Sequence, residues 1–113
     1  MNRFLIGLAA FALAGAAFAQ APASPEAKAR AMRVSAALGA CHARYATRLA
    51  RSDPNAARVV DKVLGQCRTQ ENAVRAEVYR DLDAGTAARV MQDQRIHWRR
   101  RVAELVARAR ARR

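Results

Sequence analysis

Two cysteines, Cys41 and Cys67, are the residues whose chemistry the sequence defines most clearly. They lie equally far from Pro54, and a proline interrupts a helix that precedes it. If the chain is helical on both sides of this proline, its two arms fold back on each other and bring the sulfurs together. We therefore predict a Cys41–Cys67 disulfide across a helical hairpin, worth about 3–4 kcal/mol in a loop-entropy model.

The same cysteines and the two histidines do not predict a metal site. Adjacent residues on a helix point about 100° apart, so Cys41 and His42 are badly placed to hold one ion. No Cys-x-x-Cys or His-x-x-x-His pair is present, which also removes c-type haem attachment and thioredoxin-like chemistry. We expect no metal and no cofactor, and we expect His42 and His97 to lie at the surface or in a helix seam.

No group of residues predicts an enzyme. Ser24 and Ser52 lie where predicted helices begin or end, so helix capping accounts for both. The 9 acidic residues are scattered singly along predicted helix surfaces, where the many arginines are their ordinary partners. Since no nucleophile, base and orienting group occur together, we expect a non-enzymatic protein.

The net charge is strongly positive, with 21 Lys and Arg against 9 Asp and Glu and a formal charge of +12. Nearly all of this charge is arginine, because Lys28 and Lys62 are the only lysines. The positive electrostatic field of this charge attracts anionic surfaces, and salt weakens the attraction. The expected partner is an acidic protein or an anionic envelope surface. Nucleic acid is not expected as the physiological ligand, because no recognition motif is present and the chain is predicted to be exported.

The N-terminus resembles a secretory signal peptide. Arg3 precedes an apolar run from 4 to 18, and Ala17-Phe18-Ala19 is a small-x-small cleavage site. The run is shorter than the roughly 20 residues of a transmembrane helix, so an uncleaved anchor is the less favoured interpretation. We predict a signal peptide at 1–19, a flexible leader at 20–24, a single helical domain at 25–113, and a periplasmic or secreted location.

Apolar residues at helical spacing predict three helices in the mature chain, near 25–51, 55–83 and 86–112. Ser24 is the predicted N-cap of the first helix, Asp53 of the second and Thr86 of the third, and Gly85 suits a left-handed position between the last two. The predicted fold is all-α: a three-helix up-down-up bundle with the disulfide across its first hairpin.

The third predicted helix carries arginines on both margins of its apolar stripe, and Trp98 lies in the middle of that stripe. The arginines on one margin are Arg95, Arg99, Arg110 and Arg113, and those on the other are Arg101, Arg108 and Arg112. This arrangement is typical of a helix at an anionic membrane or lipopolysaccharide surface, where apolar groups insert and guanidinium groups reach phosphate. It equally fits a bundle helix whose arginine stems cover the edges of its seam, which is the interpretation that we prefer.

A short internal similarity has no explanation at this level. The segments Leu38-Gly39-Ala40-Cys41 and Leu64-Gly65-Gln66-Cys67 share a Leu-Gly-x-Cys pattern. Each glycine points about 160° away from its cysteine around a helix, so close approach at the disulfide does not account for it. The sequence leaves open the roles of Gly39 and Gly65, the oligomeric state, the identity of the ligand and the contact of the last helix with a membrane.

Overall fold

The computed structural model describes residues 24–112, and over this range the protein is an all-helical bundle, as the sequence predicts. Its helices are α1 (Pro25–Leu49), α2 (Ala56–Gln66), α3 (Arg68–Asp81) and α4 (Ala84–Ala111). The predicted signal peptide at 1–19, the leader up to 23 and Arg113 lie outside the described residues. No helix within 24–112 has the length and apolarity needed to cross a membrane.

Side-chain oxygens cap the N-termini of three helices. The Ser24 hydroxyl accepts the Ala27 N–H at 3.1 Å, as predicted for the start of α1. The other two predicted N-caps are wrong, because a polar residue two or three positions away caps the helix instead. Asn55 rather than Asp53 caps α2, and Asp83 rather than Thr86 caps α4.

Asp83 begins α4 two residues earlier than predicted, because its carboxylate accepts both the N–H of Thr86, at 2.9 Å, and the Thr86 hydroxyl, at 2.8 Å. These two hydrogen bonds lower the pKa of Asp83, the backbone one being the larger cause. Gly85 consequently lies in the first turn of α4, and it does not adopt the left-handed conformation that the sequence suggested.

The predicted second helix is two helices that meet at Cys67. This residue leaves the helical conformation, with φ −100° and ψ 17°, although its N–H still bonds the Val63 carbonyl at 3.2 Å. The Cys67 side chain is fully buried against α1. The break therefore falls at the residue that joins this part of the chain to α1, and hydrophobic spacing alone does not reveal an irregularity of one residue.

The cysteines lie at disulfide-bonding distance, which confirms the predicted pairing. The sulfurs are 2.13 Å apart and the Cα atoms 5.9 Å apart. Around this pair lies one part of the core, formed by buried residues of α1, α3 and α4: Leu38, Val74, Val78, Ala87, Met91 and Trp98. A second cluster lies nearer the α1–α2 turn and consists of Ala46, Val59, Val60, Val63, Val102 and Val106.

Two long-range contacts show how the helices lie against each other. The side chain of Arg30, near the start of α1, contacts Glu77 at the end of α3, with 3.6 Å between Nε and Oε1. The side chain of Arg110, near the end of α4, donates to the carbonyl of Ala50 just beyond α1, at 2.7 Å. The C-terminus of α4 therefore lies beside the C-terminus of α1.

Candidate anion-binding face

On one margin of α4, two arginines form ion pairs with acidic residues of neighbouring helices. Arg95 Nε lies 3.1 Å from Glu71 Oε1 on α3, and Arg99 Nη2 lies 2.7 Å from Asp61 Oδ1 on α2. Both arginines are about half exposed. Their charges are nevertheless compensated by neighbouring helices, so this margin offers less free positive charge than the sequence suggested.

Arg110, on the same margin, binds backbone carbonyls rather than a carboxylate. Its guanidinium donates to the carbonyls of Ala50, at 2.7 Å, of Pro54, at 3.2 Å, and of Asp53. Helix C-termini carry partial negative charge and unsatisfied carbonyls, which a cation stabilises. Arg110 thus caps the end of α1 and the turn that follows it.

A reciprocal contact comes from α1. Arg51, just past the end of α1, donates from Nη2 to the carbonyl of Arg110, at 3.1 Å, and to that of Arg112. The two helix ends that lie side by side are therefore each stabilised by an arginine from the other. Arg110 therefore has a structural role, and the carbonyl of Arg112 accepts a hydrogen bond from Arg51.

The opposite margin of α4 is different. Arg101 and Arg108, both predicted here, are exposed and lie with Arg100 and His97 around one open depression. Within residues 24–112 none of the three arginines forms an ion pair with an acidic residue, and Glu104 is the one acid that lines the depression. We refer to Arg100, Arg101 and Arg108 as the open arginine face.

Gly39 of α1 lies beside this face. A methyl group at Gly39 would lie 3.5 Å from a terminal guanidinium nitrogen of Arg101, so the Arg101 side chain rests against the bare backbone of α1. Because 3.5 Å is an ordinary van der Waals distance, an alanine would also fit here, and this contact does not by itself explain the glycine. Gly65 has open space around it, and nothing in the structure explains it.

His42 of α1 is only 2% exposed. Its ring meets Trp98 edge to face, with the ring centres 6.4 Å apart. Burial lowers the pKa of His42, the positive charge of Arg101 lowers it further, and Glu71 opposes the shift. The sequence placed His42 at the surface or in a seam; its spacing of four from both Leu38 and Ala46 indicates the seam. His97, by contrast, is exposed.

No cluster of three or more His, Cys, Asp or Glu side chains suited to a metal ion occurs in the described part of the chain. The geometry instead offers a row of guanidinium groups, whose planar forks bind carboxylate or phosphate.

Comparison with protein-family models, with curated proteins and with solved structures finds no match to this chain.

Proposed function

We propose that this chain is a non-enzymatic binding protein, exported after removal of residues 1–19, that meets an acidic partner in the periplasm or outside the cell. The observation that carries the proposal is the difference between the two margins of α4. The acids of α2 and α3 compensate Arg95 and Arg99, whereas within residues 24–112 no arginine of the open arginine face forms an ion pair. Uncompensated, exposed guanidinium groups on a rigid helix attract and orient an anionic surface.

A membrane-surface protein acting through α4 is the second candidate, and burial argues against it. Insertion requires the apolar stripe of α4 to enter the lipid. Trp98 is only 8% exposed, and Val102 and Val106 are buried in the same seam. The stripe is therefore occupied by α1, α2 and α3, and α4 would have to leave the bundle to insert. Contact with anionic lipid through arginines alone requires no such change.

The proposal includes an up-down-up order of the helical segments. Its support is the contact of Arg110 with Ala50, which brings the ends of α1 and α4 together, and the contact of Arg30 with Glu77, which brings the start of α1 to the end of α3. In this arrangement the open arginine face lies along the side of a fixed bundle. A partner then meets a preformed surface, and less of the binding energy is lost in ordering it.

The test is retention on immobilised heparin, used as a generic polyanion. We expect the triple variant R100Q/R101Q/R108Q to elute at clearly lower salt than the wild type. The matched control is R33Q/R68Q/R75Q, which removes the same charge from exposed positions on α1 and α3.

The control should lose much less retention, because its arginines are dispersed over two helices. Equal losses in the two triple variants would contradict the proposal, since the attraction would then follow net charge rather than the open arginine face. Circular dichroism of both variants checks that the bundle is intact.

A further inference from the structure

The two ends of the bundle carry very different charge. The contact of Arg110 with Ala50 brings the end of α4 beside the end of α1 and the turn that leads into α2. Residues 43–62 and 105–112 form this end, and they contain eight Lys or Arg against two Asp, a net charge of +6. We refer to these two ranges as the basic pole.

The opposite end of the bundle is almost neutral. The contact of Arg30 with Glu77 joins the start of α1 to the end of α3, from which the chain turns into α4. Residues 24–31 and 75–90 form this end, and they contain five Lys or Arg against four Asp or Glu, a net charge of +1. The 25 residues of α1 span about 37 Å, whereas the Debye length in physiological salt is about 8 Å. An anionic surface at the basic pole is therefore largely screened from the acids of the other end.

Five cations of the basic pole are available to a ligand. Both acids of the pole are already paired, one with Arg58 at 3.8 Å and the other with Arg99 at 2.7 Å. Arg51 and Arg110 bind carbonyls and offset the partial negative charge of two helix ends. The remaining cations are exposed, and within residues 24–112 they form no ion pair: Arg44, Arg48, Lys62, Arg108 and Arg112.

Two of these arginines are held in place by an aromatic ring. The guanidinium carbons of Arg44 and Arg48 lie 5.3 and 5.6 Å from the centre of the Tyr45 ring. Tyr45 itself packs against both core clusters. A cation–π contact leaves the N–H donors at the edge of the guanidinium group able to bind phosphate. Because the ring restricts both side chains, less conformational entropy is lost when they bind an anion.

From these features we infer that the basic pole docks end-on against an anionic lipid surface, with its guanidinium groups on the lipid phosphates. The cations lie around the end of the bundle on three helices, so a flat array of phosphates meets several of them at once. Clusters of about four to eight Lys or Arg bind such surfaces by electrostatic attraction. No helix has to leave the bundle, which distinguishes this contact from insertion of the apolar stripe of α4.

An acidic protein fits the basic pole less well. A stable protein interface has an apolar centre from which charged side chains are largely excluded. The three exposed large hydrophobic residues of the described chain all lie outside the pole: Met32, Tyr79 and Ile96. A layer of lipid headgroups requires cations and no apolar anchor. The composition of the pole therefore favours a lipid surface.

The test is binding to phosphatidylglycerol vesicles, measured by sedimentation, with zwitterionic phosphatidylcholine vesicles as the control. The wild type should bind only the anionic vesicles, and its binding should fall as the salt concentration rises. R44Q/R48Q/R112Q should weaken binding at least tenfold, because each cation near an anionic surface contributes about a factor of five. K62Q/R112Q, which keeps both ring-bound arginines, should weaken it about fivefold or more. Both variants leave Arg108 unchanged, since Arg108 also belongs to the open arginine face.

The matched control is K28Q/R75Q/R89Q, which removes the same charge as the triple variant from exposed positions at the opposite end. It also removes an arginine that lies over an aromatic ring, because the guanidinium carbon of Arg75 is 5.2 Å from the centre of the Tyr79 ring. Since these cations lie beyond the Debye length from the docked end, the control should stay within about threefold of the wild type. Circular dichroism verifies that every variant is folded.

Equal losses in the two triple variants would overturn the inference, because binding would then follow net charge. So would failure of the wild type to bind anionic vesicles, or wild-type binding by either pole variant. If the pole variants bind vesicles normally and yet elute earlier from heparin, the pole serves another polyanion and the lipid assignment is wrong.

The fluorescence of Trp98 separates docking from insertion. Trp98 is buried in the bundle, so brominated lipids should leave its emission unchanged, and quenching would show that α4 inserts instead. Heparin retention of R100Q/R101Q/R108Q tests the open arginine face separately. If that retention is normal while vesicle binding depends on the basic pole, only the proposed function fails. If the retention falls as expected while vesicle binding ignores the pole, only the end-on docking fails.

Discussion

Replacing Arg110 by alanine should destabilise the bundle more than any other single arginine substitution on α4. Arg110 donates three hydrogen bonds to the carbonyls of Ala50, Asp53 and Pro54, two of them in partly buried surroundings. A hydrogen bond to a charged group contributes about 1.5–3 kcal/mol, and the value falls where water can replace the donor. Because the turn is partly exposed, we expect a net loss of about 2–3 kcal/mol for R110A.

The assay is thermal and urea unfolding, followed by circular dichroism and by the fluorescence of Trp98. In a domain of this size each kcal/mol shifts Tm by about 4–8 °C, so R110A should lower Tm by about 10–20 °C. R110K keeps the charge and loses the planar fork that reaches three carbonyls, so it should recover only part of this loss.

R99Q is the control, because it removes an ion pair whose two side chains are both more than half exposed. Such pairs contribute about 0.2–1 kcal/mol. A loss for R110A no greater than that for R99Q would refute the structural role of Arg110, because the carbonyl contacts would then add nothing beyond an ordinary surface interaction.

Three further outcomes are expected. Cys41 and Cys67 should resist alkylation until the protein is reduced under denaturing conditions, since Cys41 is 2% exposed and Cys67 is fully buried. Mass spectrometry measures the number of alkylated cysteines, and alkylation of either cysteine without reduction would contradict the prediction. D83A should lower Tm at neutral pH, and its difference from the wild type should shrink as the pH falls through the lowered pKa of Asp83, where the wild type too loses its charged cap. The lowered pKa of His42 means that the unfolded state binds the proton more readily, so stability should fall as the pH drops from about 6.5 towards the folded-state pKa. H42Q should flatten that part of the stability profile, and an unchanged profile would show that another group titrates there.

Local chemistry allowed much of the architecture to be predicted. Pro54 and the equal distances to Cys41 and Cys67 indicate a hairpin, because a helix break and a pair of cysteines have physical consequences that need no knowledge of distant neighbours. Apolar spacing then places the helices to within a few residues. The errors at Asp83 and Asn55 concern which of several adjacent polar side chains caps a helix, and backbone geometry decides that choice.

The candidate site was less accessible to sequence reasoning. A helical wheel places Arg95 and Arg101 symmetrically about the stripe of α4, and it carries no information about the facing residues. Glu71 neutralises the first, whereas the second faces Gly39. The burial of His42 and the break at Cys67 likewise depend on how α1 packs against α3 and α4. These features arise from tertiary contacts, so a pattern within one helix does not contain them.

The arginines on the two margins of α4 have different electrostatic surroundings. The single acid of α1 is Glu26, in the first turn of the helix, and it forms no ion pair with Arg101 or Arg108. α2 and α3 supply Asp61 and Glu71 on the other side.

Because α1 and α4 end together, their negative helix ends would repel each other without the guanidinium groups of Arg51 and Arg110. The arginines that bind neighbouring helices and the arginines of the open arginine face therefore occupy opposite margins of one helix. Since Arg101 and Arg110 share no partner in the described chain, the loss of unfolding free energy caused by R110A should be the same, within about 0.5 kcal/mol, in the wild type and in the R100Q/R101Q/R108Q background.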